Sequence, residues 1–231
     1  KIMNPRDSYV SGHPILIPMI DLVTIGAGGG SIAYVDSAGG FHVGPRSAGA
    51  DPGPACYGRG GEEPTVTDAQ VVLGRLDADK LLGGDLLLDP ELARRAIESK
   101  IAKSLNLSTI DAALGIIKVI NSNMALAIRS NSVARGIDPR EYSLMPFGGA
   151  GPLHGVALAE SVSAKNIIVP IAPGITAAMG LLQTDMQYEH ARSLITSLSK
   201  VTGDTVERMN RVLEELISAC RRDLEQDGVP A

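Results

Sequence analysis

Two short glycine-rich segments hold the residue types best suited to chemistry: Gly26-Ala27-Gly28-Gly29-Gly30-Ser31 and Phe147-Gly148-Gly149-Ala150-Gly151-Pro152. Each follows an apolar, strand-like run. Without a Cβ, a glycine backbone lets N–H groups approach phosphate oxygens closely. The second segment also opens into a helix, with Pro152 where a first helical residue belongs. Free N–H groups and the positive end of the helix dipole then face whatever lies above the strand. The candidate nucleotide-contacting residues are therefore Gly28, Gly29, Gly30 and Ser31 on one side and Gly148, Gly149, Ala150 and Gly151 on the other. The alternatives are a plain tight turn for the first segment and a close helix–strand packing turn for the second.

Other nucleotide motifs do not fit. A P-loop needs Gly-Lys-Ser/Thr, and the chain has no Gly-Lys pair. The dinucleotide fingerprint needs a third glycine where Ser31 and His154 stand. The four histidines, His13, His42, His154 and His190, show no His-x-x-x-His spacing, which argues against a zinc site. His154 follows the second loop and is open to ligand contact or to packing. Cys56, in Pro54-Ala55-Cys56-Tyr57-Gly58, has no base nearby in sequence and reads as structural rather than nucleophilic. Asp21, Asp51 and Asp68 lie beside loops, where a carboxylate can hold Mg²⁺ through water or orient a nucleophile. Asp51 and Asp68 are the candidate catalytic carboxylates, with a turn or capping role as the alternative. Arg129 and Arg135 close a buried helix and suit a structural ion pair or a phosphate contact.

The elements that position these groups follow from composition and pattern. The chain has 231 residues, 44% of them hydrophobic but only 3% aromatic and no Trp, so Ile, Leu, Val and Ala must fill the core. A net charge of −5 with no basic stretch argues against nucleic acid. No uninterrupted apolar run reaches the roughly 18 residues of a membrane span. Two distant cysteines form no disulfide framework, and a cytoplasmic location is the default.

Residues 22–25, 32–36 and 41–43 read as three strands, the last two a hairpin. Residues 44–61 hold six Gly and three Pro and read as an ordered loop rather than a linker. Helices are expected over 90–105, over 109 to about 134 (buried, with a capping-box-like Ser108 and Asp111) and from Pro152 to about 161. Strands are expected at 142–147 and 166–169, and helices at 175–182 and about 204–227. This order predicts an α/β fold with a mixed sheet flanked by helices. It is the order of a ribonuclease-H-like lobe, as found in actin, sugar-kinase and Hsp70-type ATPases. Residues 1–20 read as a lead-in, 21–190 as the lobe, and 191–231 as the start of a helical region. Both ends look cut from a longer polypeptide.

Several stretches together resemble the hydantoinase A / 5-oxoprolinase family, which includes a subunit of acetone carboxylase. They are residues 24–33, 43–58, Thr65-Val66-Thr67-Asp68-Ala69, Asn123-Met124-Ala125, Ser132-Val133-Ala134-Arg135-Gly136 and residues 147–154. The resemblance covers roughly residues 15–190. It implies an actin-like ATPase fold using ATP and Mg²⁺ to open a small cyclic amide through a phosphorylated intermediate. By resemblance, Gly28 to Ser31 serve the phosphates, Gly148 to Gly151 the adenosine, and residues 51–58 lie near the active site. It also implies a hydantoinase-B-type partner and a homo-oligomer. A carbonyl-activating carboxylase subunit and a non-catalytic nucleotide-binding regulator are the alternatives. The family's Asp-x-Gly-Gly-Thr phosphate loop is absent from these residues, so weak or no ATPase activity is expected of them alone.

Overall fold

A computed structural model describes residues 2–3, 9–10, 13–14, 19–20, 22–79, 87–197 and 201–229. It divides into two compact units, Lys1–Ala177 and Ala178–Ala231. In the first, β1 (Ile2–Met3) pairs antiparallel with β4 (Met19–Ile20), and between them β2 (Tyr9–Val10) pairs with β3 (His13–Pro14). The lead-in thus contains two nested ladders. Asp21 lies outside the described residues.

The hairpin of β5 (Ser31–Val35) and β6 (Phe41–Ser47) forms as expected. Asp36 shapes its turn by accepting the Ala38 and Gly40 N–H groups at 2.9 and 2.7 Å. Those contacts, with His42 at 2.6 Å, hold its carboxyl below the usual carboxylate range. Residues 22–25 form no strand. Their apolar side chains are exposed, Leu22 at 73%, and among the described residues no strand pairs with them. The far edge of β5 is met instead by residues 64–65, through an Ile32–Thr65 bridge and an Ala33 N–H to Pro64 carbonyl bond of 2.8 Å.

Thr65 then caps α1 (Val66–Val72), a helix too short to show in the periodicity of the sequence. Next come α2 (Pro90–Ile97), a π-helical turn over Glu98–Ala102, and α3 (Lys103–Leu105). Asp89 starts α2 by accepting the Glu91 and Leu92 N–H groups, with Pro90 in the first turn. The central helix α4 (Thr109–Val133) begins at Ser108, whose Oγ accepts the Asp111 N–H at 3.0 Å. Then follow β7 (Ser143–Leu144), α5 (Gly151–Val162), β8 (Asn166–Ile167) and α6 (Thr176–Leu182). Strands β7 and β8 are parallel, with α5 as their connection. They are shorter than expected; Pro146, which lacks an N–H, follows β7 closely and is packed under Gly155 of α5.

The fold is mixed α/β. Among the described residues the ladders are two-stranded, so the expected single mixed sheet is not formed there. The core lies between the hairpin, α1, α2 and α4, where Ile97, Ile101, Ile116 and Ile120 are fully buried. Each contributes about 1.5–3 kcal/mol by leaving water. By length and mean hydropathy, 1.3 in its best window, α4 could pass for a membrane span. Its Ala112, Ala113, Ile116, Ile117, Ile120 and Ala125 are instead buried, and it reads as a core helix.

In the second unit, α7 (Gly203–Gln226) starts with a Thr202–Thr205 capping box. His190 meets Asp223 of this helix at 2.6 Å, Arg192 reaches its Glu215, and Tyr188 reaches Asp227 just past its C-terminal end.

Candidate functional site

The first glycine loop is held by its own serine. Ser31 Oγ accepts the Gly28 N–H at 2.9 Å and donates to the Gly26 carbonyl at 3.2 Å. The loop is then stitched to the start of α1. The Gly29 carbonyl accepts the Thr67 N–H at 2.8 Å and the Thr67 hydroxyl at 2.9 Å. A Cβ at Gly29 would stand 2.8 Å from Thr67 Oγ1, and one at Gly30 2.8 Å from Ser47 Oγ. These glycines exist because protein approaches them. Among the described residues, no acceptor takes the Gly29 or Gly30 N–H.

The second loop is anchored once, by the Gly148 N–H to the Pro173 carbonyl at 2.7 Å. Ala150 begins α5 without a side-chain cap, and the first turn carries no acid. The Gly149 and Ala150 N–H groups likewise meet no acceptor among the described residues.

The two loops converge. Gly29, Gly30, Gly149 and Ala150 line one cavity of about 460 Å³, and an ideal Cβ on Gly29 would lie 3.7 Å from that of Ala150. Val66, Leu76 and Leu153 supply apolar lining, and Tyr57 and Arg59 line it as well. Thr67, Gln70 and His154 supply polar side chains. Gly28, Ser31, Gly148 and Gly151 shape the loops but are not among the lining residues. Ser31, expected to touch phosphate, spends its hydroxyl on the loop and is 3% exposed.

Asp68 takes the capping place that the sequence left open beside a catalytic one. Its carboxylate is wholly buried and accepts four donors: the Ala55, Cys56 and Thr65 N–H groups and the Thr65 hydroxyl, at 3.3, 2.8, 2.8 and 2.8 Å. It is the third residue of the α1 capping box, and it also ties down the loop through Cys56. Asp68, wholly buried, is not among the residues lining the cavity. The loop closes on itself above it, since a Cβ at Gly61 would sit 2.2 Å from the Gly53 carbonyl oxygen. Cys56 is buried in this knot. Burial first, and the Asp68 charge second, push its thiol far above the usual range, so it is structural. Tyr57 is shifted upward too, mainly by burial. Asp51 is exposed on the turn after Ala50 and does not line the cavity.

His154 belongs both to packing and to the cavity. It is 1% exposed, and its Nδ1 lies 2.6 Å from Asn121 Oδ1 on α4. Burial first, then the charge of Arg75, lower its pKa. Arg129 donates to the Ser161 carbonyl at the end of α5, and neither it nor Arg135 lines the cavity.

Gln70, Thr67 and Arg59 were not picked out as site residues from sequence. The usable signal was Thr65-x-x-Asp68, a capping-box pattern that starts a helix and so places Thr67 and Gln70 along it.

The residues fit a polyphosphate: unpaired amides on two loops, an uncapped helix start and one arginine. They do not fit a magnesium ion held by protein. Among the described residues, no carboxylate lines the cavity and no group of three His, Cys, Asp or Glu could hold a metal.

A mixed α/β fold with a cavity walled by two glycine loops is what these residues build. The hydantoinase/oxoprolinase family model matches residues 1–190, and the chain belongs to that family. It is 43% identical over 223 residues to caprolactamase subunit alpha of Pseudomonas jessenii, spanning 96% of this chain and 32% of that protein. The crystal structure of the ATP-dependent caprolactamase from that organism superposes with a TM-score of 0.71 at 44% identity, over 93% of this chain and 31% of that one. The acetophenone carboxylase gamma subunit of Aromatoleum aromaticum is 40% identical over 219 residues, 92% of this chain and 30% of that protein. A nucleotide-free acetone carboxylase structure superposes with a TM-score of 0.87 at 29% identity, over all of this chain and 33% of that one. The chain spans about a third of the length of these relatives. Family members are ATP-dependent amidohydrolases or carboxylases.

Proposed function

We propose that this chain is the nucleotide-holding part of an ATP-dependent amidohydrolase that opens a cyclic amide of the hydantoin or 5-oxoproline class. The observation that carries this reading is the convergence of two glycine loops on one cavity, the second of them ending in the bare start of α5. Bound ATP would supply a phosphoryl group that turns the amide oxygen into a leaving group. The chain's part is binding and orientation. The Gly29 and Gly30 N–H groups would take phosphate oxygens, those of Gly149 and Ala150 the neighbouring end of the nucleotide, and Arg59 would balance charge. Gly28 and Ser31 would hold the first loop in shape; Gly148 and Gly151 would do the same for the second. Val66, Leu76 and Leu153 would keep water from that site.

In this reading the segment is the ribonuclease-H-like lobe of an actin-type ATPase, spanning about residues 21–190, with 191–231 opening a helical region. It works with a hydantoinase-B-type subunit as a cytoplasmic homo-oligomer. Mg²⁺ would arrive with the phosphates. The likeness to acetone carboxylase over the whole chain supports a second reading, a carboxylase subunit that phosphorylates a carbonyl substrate.

The test is phosphate release by the full chain with its partner subunit. Amidohydrolase function predicts that hydantoin or 5-oxoproline raises ATP turnover in step with ring opening. Carboxylase function predicts the response to acetone with bicarbonate instead. Turnover indifferent to all of them removes both readings.

A further inference from the structure

We propose that Gln70 and His154 form a recognition corner of the glycine-walled cavity for a planar ligand edge carrying a hydrogen-bond donor beside an acceptor. The proposal rests on the reading above only in using the same cavity. Both side chains line it, and they are 2% and 1% exposed. Among the described residues, the buried side-chain polar atoms without a partner are Gln70 Nε2, Gln70 Oε1 and His154 Nε2. Buried polar groups are paired as a rule, and an orphan destabilises the fold. Three orphans gathered on two residues of one cavity point to a ligand.

Loose construction does not explain them. On the same short helix, Thr67 holds the Gly29 carbonyl and Asp68 takes four donors. The His154 ring is set from behind. Asn121 Oδ1 accepts its Nδ1–H, and burial keeps the ring neutral, so Nε2 keeps a lone pair as acceptor. Gln70 offers an N–H donor and a carbonyl acceptor side by side. That edge pairs with the N–H and C=O of a cyclic amide, which are held cis by the ring. It pairs equally with the amino group and adjacent ring nitrogen of adenine. His154 Nε2 would take a further donor of the ligand. The apolar surroundings from Val66, Leu76 and Leu153 strengthen such bonds.

The test compares the full chain with its Gln70→Met variant, which keeps length and removes both polar atoms. Binding is measured by calorimetry with adenosine, with 2-pyrrolidone, with N-methylpyrrolidone and with inorganic triphosphate. If the edge read is adenine, the variant loses adenosine affinity about tenfold or more and keeps 2-pyrrolidone unchanged. If it is a cyclic amide, the variant loses 2-pyrrolidone to the same degree and binds adenosine as before. In that case N-methylpyrrolidone, lacking the donor, binds weakly to both proteins. Equal binding of adenosine and 2-pyrrolidone by both proteins, or by neither, overturns the proposal. Triphosphate binding reports separately on the glycine loops and stays unchanged in the variant. The thermal midpoint serves as the folding control: removing two orphaned polar atoms is expected to hold or raise it. His154→Gln provides a second variant, expected to weaken the same ligand while leaving triphosphate binding intact.

Discussion

The two glycine loops look alike in sequence and are built differently. The first is enclosed by protein: its serine, Thr67 and Ser47 all crowd it, and a Cβ at Gly29 or Gly30 has no room. The second is open. A Cβ at Gly149 would meet nothing within 4 Å, and one anchoring bond reaches Gly148 from the Pro173 carbonyl. A glycine can be required by the protein around it or by what the protein must admit. Under the first loop lies the Asp68 knot, which holds α1 and residues 55–56 together. Little comparable supports the second.

The sharpest way to break this contrast is Asp68→Ala. It strands several buried donors, each costing about 1–3 kcal/mol, and should lower the urea midpoint severely or prevent folding. Asp51→Ala, on an exposed turn, should stay within about 0.5 kcal/mol of the parent. A mild Asp68→Ala would show that the knot does not support the loop. Next in size, Gly29→Val should cost about 1–3 kcal/mol through overpacking against Thr67 and Ala150. Gly149→Ala should leave stability within about 0.5 kcal/mol and register only in ATP binding. Equal stability losses at the two positions would erase the distinction between the loops.

The smallest effect is a pH dependence. His154 has a folded pKa lowered from its ordinary value, so the unfolded chain takes the proton first. Its contribution to stability is complete above about pH 6.5 and diminishes as pH falls through that value. His154→Gln should flatten that part of a melting-temperature profile between pH 7 and 5. A profile unchanged by the substitution would mean the ring is not held neutral behind the second loop.

Much of the secondary structure could be read directly. Ser108 with Asp111, and the apolar run of α4, marked the central helix to within a residue. Pro152 and the preceding glycines marked α5. Helix α1 was passed over because seven residues are too few for a periodic signal, although its capping box was in view. Residues 22–25 have strand-forming side chains, but a strand needs a partner edge, and β5 turns that edge to residues 64–65. The site was legible as two loops. Its remaining members, Thr67, Gln70 and Arg59, were not, since their residue types are common and their meaning is positional.

Local chemistry is what the amino-acid order determined alone: where helices start, where the backbone must do without a Cβ, and which family the chain resembles. Tertiary structure decided which groups meet. Asp68 reaches Cys56 across twelve positions, Thr67 reaches Gly29 across 38, and His154 reaches Asn121 across 33. Such contacts form because collapse of the apolar core brings distant segments together. Only then does one carboxylate become saturated while a neighbouring amide is left without a partner.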